Sequence, residues 1–156
     1  MQGQDTLMSS GDAAGSADWE TPHEFFKQLD WLFGPFELDA AATAKSTKCD
    51  RYYSSRQDAL VQDWKGVVFC NPPYGRGIGA WVEKGADEAA KWKGKVVMLL
   101  PARTDTRWFH DVVVKRAAMA FFVKGRLKFH LPGDTKDNSA TFPSIVVVFD
   151  PQVRFP

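Results

Sequence analysis

Val67-Val68-Phe69-Cys70-Asn71-Pro72-Pro73-Tyr74 is the stretch that decides how this chain is read. A β-branched and aromatic run halted by two prolines is a buried strand whose carboxyl end opens into a loop, here followed by Gly75, Gly77 and Gly79. Ligands of α/β sheets sit at such strand ends. The prolines fix φ at two successive positions and force Asn71 into an extended conformation, so the Asn71 amide and its neighbouring carbonyls have little local freedom. A rigid pair of acceptors beside a flat tyrosine ring suits a planar amino group. Taken alone, Asn-Pro-Pro-Tyr is equally the plain punctuation of a strand end.

Working outward, Trp81, Val82, Gly85, Ala86, Ala89 and Ala90 recur at helical spacing, and Lys91 to Gly94 ends that helix. Residues 95–101 form the next buried strand, again with a proline at its end, and residues 104–115 a helix carrying Trp108, Phe109, Val112 and Val113. Residues 118–123 and 145–149 are two further strands. Upstream, Thr21 is placed to cap a helix whose first residue is Pro22 and whose apolar face is Phe25, Phe26, Leu29, Leu32 and Phe33, with Gly34-Pro35 as its stop. Residues 36–39 read as a short strand delivering Asp39 to its carboxyl end, and residues 51–53 as a second. Strands and helices alternating in this way predict an α/β fold: an open, mostly parallel sheet flanked by helices in a single compact domain over residues 18–156. Residues 1–17, rich in Gly, Ser and Ala, read as a disordered leader. Residues 131–143 are a polar loop long enough to be functional or mobile.

Composition narrows the function classes. The chain has 156 residues, 44% hydrophobic and 25% charged, with no apolar run near the roughly 20 residues that span a bilayer and no apolar segment of a signal peptide, so a cytoplasmic address is expected. Cys49 and Cys70 have no metal-ligand spacing and read as reduced thiols. A net charge of +1 provides no global attraction for nucleic acid. Any such attraction must come from a local patch, for which Lys115, Arg116, Lys124, Arg126, Lys128 and His130 are candidates; each is also what a solvated helix face or strand edge looks like.

The ends of three predicted strands, at Asp39, Asn71 and Pro101, converge on one crevice of such a sheet. A carboxylate there can accept hydrogen bonds from a nucleoside-like cofactor and favour a cationic one, which describes S-adenosylmethionine; it can also cap a helix. No glycine-rich loop follows Leu38, which argues against a pyrophosphate-bearing cofactor.

The ordered set Trp19-Glu20-Thr21-Pro22, Phe36-Glu37-Leu38-Asp39-Ala40-Ala41-Ala42, Asp58-Ala59-Leu60, Asn71-Pro72-Pro73-Tyr74, Leu99-Leu100-Pro101-Ala102-Arg103 and Gly125-Arg126-Leu127-Lys128-Phe129 resembles the phage-type DNA N-6-adenine methyltransferase family over residues 18–150. The resemblance implies a Rossmann-like class I methyltransferase fold, S-adenosylmethionine as methyl donor, double-stranded DNA with a flipped adenine as substrate, and a phage- or prophage-encoded enzyme in a bacterial cytoplasm. It implies no metal. By position, Trp19, Thr21, Pro22, Asp39, Ala40, Asp58, Ala59 and Asn71 resemble cofactor-contacting residues, and Asn71, Pro72, Pro73 and Tyr74 the catalytic loop. Tyr74, Arg103, Arg126, Lys128 and Phe129 match substrate-side positions, Phe129 where relatives hold the extruded base. Two departures stand out: the first motif lacks the glycines of the wider class, and the second strand has no obvious ribose-binding acid, for which Asp50 is the candidate. The same acceptor pair would also serve an RNA base or a protein glutamine amide, and a non-catalytic nucleic-acid-binding module is a reading from a different class. In so small a domain, sequence specificity is either low or supplied by the 131–143 loop and a second subunit of a possible homodimer.

Overall fold

In a computed structural model, described here for residues 19–130 and 138–153, the chain builds a six-stranded sheet in the order β2-β1-β3-β4-β8-β5. The strands are β1 (Leu38–Asp39), β2 (Arg51–Tyr52), β3 (Val67–Cys70), β4 (Lys95–Pro101), β5 (Met119–Phe122) and β8 (Ser144–Phe149), while β6 (Lys128–Phe129) and β7 (Asn138–Ser139) pair as a separate ribbon. The helices are α1 (His23–Phe33), α2 (Ile78–Trp92) and the short α3 (Val114–Arg116).

β3, β4 and β8 are apolar almost throughout because both faces of the sheet are covered. Successive residues point to opposite sides. Val68, Cys70, Val96, Met98 and Leu100 meet Val82, Ala86 and Ala89 of α2, whereas Phe69, Val97, Leu99, Val146 and Val148 meet Phe26, Leu29 and Phe33 of α1. Gly85 lets α2 lie close to the sheet: a Cβ there would come within 2.7 Å of the Met98 sulfur. Neighbouring β2, β1, β3 and β4 are parallel, which places Tyr53, Ala40, Asn71 and Pro101 along a single carboxyl edge.

The open, mostly parallel sheet that the sequence predicts is present, with β8 running antiparallel between β4 and β5; an unbroken apolar run specifies burial but carries no direction. Several finer expectations are corrected. The segment expected to be a helix over 104–115 is helical over 107–116, with a π-helical turn at Phe109–Val113 ahead of α3. Pro22, not Thr21, is the N-cap of α1, and no side chain caps that helix; the Thr21 hydroxyl is turned into the protein, 3.2 Å from the Asn71 amide nitrogen. Part of the expected 131–143 loop is β7, and residues 131–137, like the proposed leader, lie outside the described residues. A backbone bridge between Glu20 and His130 ties the segment before α1 to the β6–β7 ribbon. No helix among the described residues is long and apolar enough to cross a membrane.

Candidate active site

Asn71 leaves β3 at the carboxyl edge, and its side chain is buried. Its Nδ2 donates to the Trp19 carbonyl at 3.1 Å and to Thr21 Oγ1 at 3.2 Å. A carbonyl can only accept, so this pairing fixes which end of the amide is nitrogen. Asn71 Oδ1 is thereby turned away from those two acceptors, buried and without a hydrogen-bond partner among the described residues. Leaving such an atom unsatisfied costs about 1–3 kcal/mol, an arrangement that makes sense where a donor arrives from outside.

Asp39 stands one strand away, 3% exposed. Its carboxylate accepts the Lys48 N–H at 3.1 Å and the Ala41 N–H at 3.4 Å. No helix follows β1, so the capping alternative is set aside. Burial dominates these two bonds and the nearby Lys48 charge, raising the Asp39 pKa to about 7. A buried acid short of counter-charge is poised to take a cation.

Two clefts meet at this edge. One, narrow, is lined by Trp19, Glu20, Thr21, Asp39, Ala41, Ser46, Lys48, Phe69 and Asn71. The other, of about 240 Å³, is lined by Ala41, Ala42, Tyr53, Ser54, Ser55, Asp58, Ala59, Pro73 and Trp81. Ala41 borders both, and the Asn71–Tyr74 loop gives Asn71 to the first and Pro73 to the second. Asp58 holds a left-handed backbone conformation with φ of 51°, stabilised by its carboxylate accepting the Leu60 N–H at 3.2 Å. A Tyr53 ring and a Trp81 ring flank the larger cleft, whose lining is mostly apolar, as a flat heteroaromatic ring requires.

The remaining expected residues are less closely gathered. Ala40 is fully buried behind the cleft, Pro72 is buried, and Pro22 and Tyr74 are half-buried. The Tyr74 hydroxyl donates to the Leu99 carbonyl at 3.1 Å, its ring meets Phe142 edge-on at 5.3 Å, and burial raises its pKa. Phe129 is 0% exposed and lies behind Trp19, with ring centroids 5.5 Å apart, rather than on an open surface. Arg103, Arg126 and Lys128 are exposed on loops and the ribbon. Lys115 and Arg116 are paired with Asp111 and Asp87 and precede β5, at the end of the sheet away from the clefts. Asp50 precedes Arg51 and so sits at the amino end of β2, roughly 13 Å along an extended chain from Ser54; it lines neither cleft. Burial raises the Cys49 thiol to about 12 and Cys70 well above its ordinary value, which keeps both uncharged and inert at neutral pH.

Ser46, Lys48, Tyr53 and Trp81 line the two clefts without having been singled out in the sequence. Trp81 was legible only as helix core and Tyr53 only as strand; nothing in the 43–50 segment signals that it folds back over Asp39.

Comparison with known proteins shows the family to which the chain is similar. The family model described as DNA N-6-adenine-methyltransferase (Dam) matches residues 9–155. The DNA N-6-adenine-methyltransferase of Escherichia phage T1 is 32% identical over 118 residues, 74% of this chain and 48% of that protein. That of Haemophilus phage HP1 is 27% identical over 141 residues, covering 88% of this chain and 80% of its own length. A putative methyltransferase, YfdM, of Escherichia coli is 41% identical over 63 residues, 36% of this chain and 69% of that protein. The chain thus spans about half the length of the phage T1 relative. With its sheet, its strand-end loop and a family match over nearly the whole sequence, the chain belongs to the DNA N-6-adenine-methyltransferase family.

Proposed function

We propose that the chain transfers a methyl group from S-adenosylmethionine to the exocyclic N6 of adenine flipped out of double-stranded DNA. The observation that carries this reading is the orphaned Asn71 Oδ1, held beside the cleft of a buried, under-compensated Asp39. S-adenosylmethionine, when bound, supplies an electrophilic methyl on a sulfonium. Asp39, Trp19 and Thr21 border the cleft that suits its cationic part, and Tyr53, Asp58, Ala59, Pro73 and Trp81 the cavity that suits its adenine. Ala40 is buried beside Asp39, and Pro22 carries the chain from Thr21 into α1. Ser54 and Tyr53, at the carboxyl end of β2, take the place expected of a ribose-binding acid.

The amino nitrogen of adenine is a poor nucleophile because its lone pair is delocalised into the ring. Asn71 Oδ1 and the Pro72 carbonyl accept the two amino hydrogens, drawing the nitrogen toward tetrahedral geometry and freeing that lone pair. Pro72 and Pro73 keep the acceptors in place, so catalysis is chiefly positioning. Asn71 is a neutral amide and removes no proton; the proton passes to water after the nitrogen has taken the methyl group. Tyr74 stacks on the flipped base, worth ~1–3 kcal/mol by analogy with single-strand binding. Phe129 backs that pocket through Trp19, and Arg103, Arg126 and Lys128 contact the DNA backbone. A homodimer completes the proposed assembly.

The test is tritiated-methyl transfer to DNA, RNA and protein side by side, followed by nucleoside analysis. Label in N6-methyladenine of DNA is the expected outcome; label confined to RNA or to glutamine would replace the substrate, and no transfer with no cofactor binding would leave a binding module.

A further inference from the structure

The free edge of the sheet and the adjoining face of α1 are untouched by the methyl-transfer reading. Among the described residues β5 is the outermost strand of the sheet and bonds only to β8. The Val123 N–H donates to the Ser144 carbonyl at 3.1 Å. Backbone groups alternate along an antiparallel ladder, so Ala120 and Phe122 present theirs to the open side. Phe121, 45% exposed, lies on the α1 face against Phe33, where Trp31 is 86% exposed and Leu32 57%, while Phe122, 74% exposed, projects from the other face of the edge strand. A groove of about 260 Å³ lies between α1 and β5, and a second along α1 continues it past Leu32 to Trp31. Sheet edges are ordinarily blunted by charge, proline or a covering element. This one offers two consecutive phenylalanines.

We infer that this face docks a second copy of the chain, with β5 pairing antiparallel to the partner's β5 about a two-fold axis and the two α1 helices lying side by side. The inference rests on the homodimer proposed above and assigns it a surface. Three features select a second copy as occupant. A two-fold axis normal to the sheet pairs an edge strand with its own copy antiparallel, and such a contact asks each patch to complement itself. Of the charged residues bordering the patch, Glu24 and Lys27 are paired with each other at 3.2 Å and Asp30 accepts the Phe36 N–H at 2.8 Å, while Lys124 lines the groove just past the end of β5, where an antiparallel pair keeps it apart from its own copy. The three exposed side chains of the α1 face, Phe121, Trp31 and Leu32, present on the order of 400 Å², about half of the ~800 Å² per partner of a standard interface, and the strand backbone and Phe122 on the other side of the edge supply more.

This arrangement has a geometric consequence. β5 runs parallel to β4, since both are antiparallel to β8. Antiparallel joining of two β5 strands therefore turns the two carboxyl edges in opposite directions. Each cleft is complete within its own chain, and the second copy lends no residue to it.

The experiment is sedimentation velocity on the full chain and on the Phe122→Glu and Trp31→Lys variants at micromolar concentrations, with circular dichroism to establish folding and methyl transfer to DNA as a parallel readout. The expected result is a wild-type dimer, two folded monomeric variants, and unchanged transfer per protomer. A monomeric wild type overturns the proposal. A wild-type dimer that both folded variants retain overturns this face. Transfer that falls in step with dissociation overturns the independence of the two sites. A wild-type dimer dissociated by both substitutions yet inert toward DNA supports the face while sinking the methyl-transfer reading.

Discussion

Asp39, in the sheet at the end of β1, and Glu88, on the helix α2 that packs against that sheet, are both buried carboxylates, and their surroundings differ in kind. Glu88 on α2 accepts the Trp64 N–H at 2.7 Å, Trp92 Nε1 at 2.8 Å and Lys84 Nζ at 2.9 Å. Burial works to raise its pKa, but those three donors and the Lys84 charge hold it below the ordinary value. Asp39 has two backbone donors and no ion pair among the described residues, and burial prevails. A buried acid whose lone pairs are filled from within holds the fold together; one left short of partners waits for a ligand. Asn71 makes the same point for a neutral group, with one end of its amide satisfied and the other bare.

This contrast can be broken at either region. The largest effect is expected at Asn71: Asn71→Ala should abolish methyl transfer, by about 10³-fold or more, while calorimetric affinity for S-adenosylmethionine stays nearly intact. Normal transfer by the variant would remove Asn71 from the chemistry. Next comes Glu88→Ala, which strips a half-buried lysine and two N–H donors of their shared acceptor. Urea unfolding should show a loss of about 3–5 kcal/mol, with the activity of the remaining folded fraction unchanged. A stable variant with impaired cofactor binding would mean that Glu88 also belongs to the site.

Asp39→Asn should behave in the opposite sense, weakening cofactor binding by about 10- to 100-fold, the range of one charge-assisted hydrogen bond, with little loss of stability. The smallest effect is one of slope. Because the folded-state pKa of Asp39 is raised from 3.8 to about 7, its contribution to stability is present in full below the unfolded value and is lost as pH rises through the folded one. A cationic ligand prefers the ionised form, so its affinity should rise across that same window. Between pH 5 and 8, therefore, the Asp39 contribution to apoprotein melting temperature falls as cofactor affinity climbs, and both slopes flatten in Asp39→Asn. Parallel slopes would contradict the assignment.

Much of the fold was legible because local signals agreed with global ones. The run Val67–Cys70 and the run Lys95–Pro101 are strands with those bounds, and α2 contains the apolar spacing read for it. Illegible features depended on contacts between distant segments. The insertion of β8 between β4 and β5 is a matter of register, which a continuous apolar run does not specify. Thr21 has the chemistry of a cap and is instead an acceptor for Asn71, fifty residues away. Asp50 has the chemistry of a ribose acid and lies at the wrong end of its strand. At the site, Asp39 and Asn71 were marked by residue type at a strand end, whereas Lys48 and Trp81 enter only through tertiary folding.

The most direct measurement is a crystal structure of the chain with an adenine-containing DNA duplex and a non-reactive cofactor analogue. The predicted result is an extrahelical adenine whose amino nitrogen lies about 2.7–3.2 Å from Asn71 Oδ1, with the Asn71 amide nitrogen still on the Trp19 carbonyl and the analogue's cationic group against Asp39. An adenine bound elsewhere, or an Asn71 oxygen satisfied by another group of the protein, would contradict it.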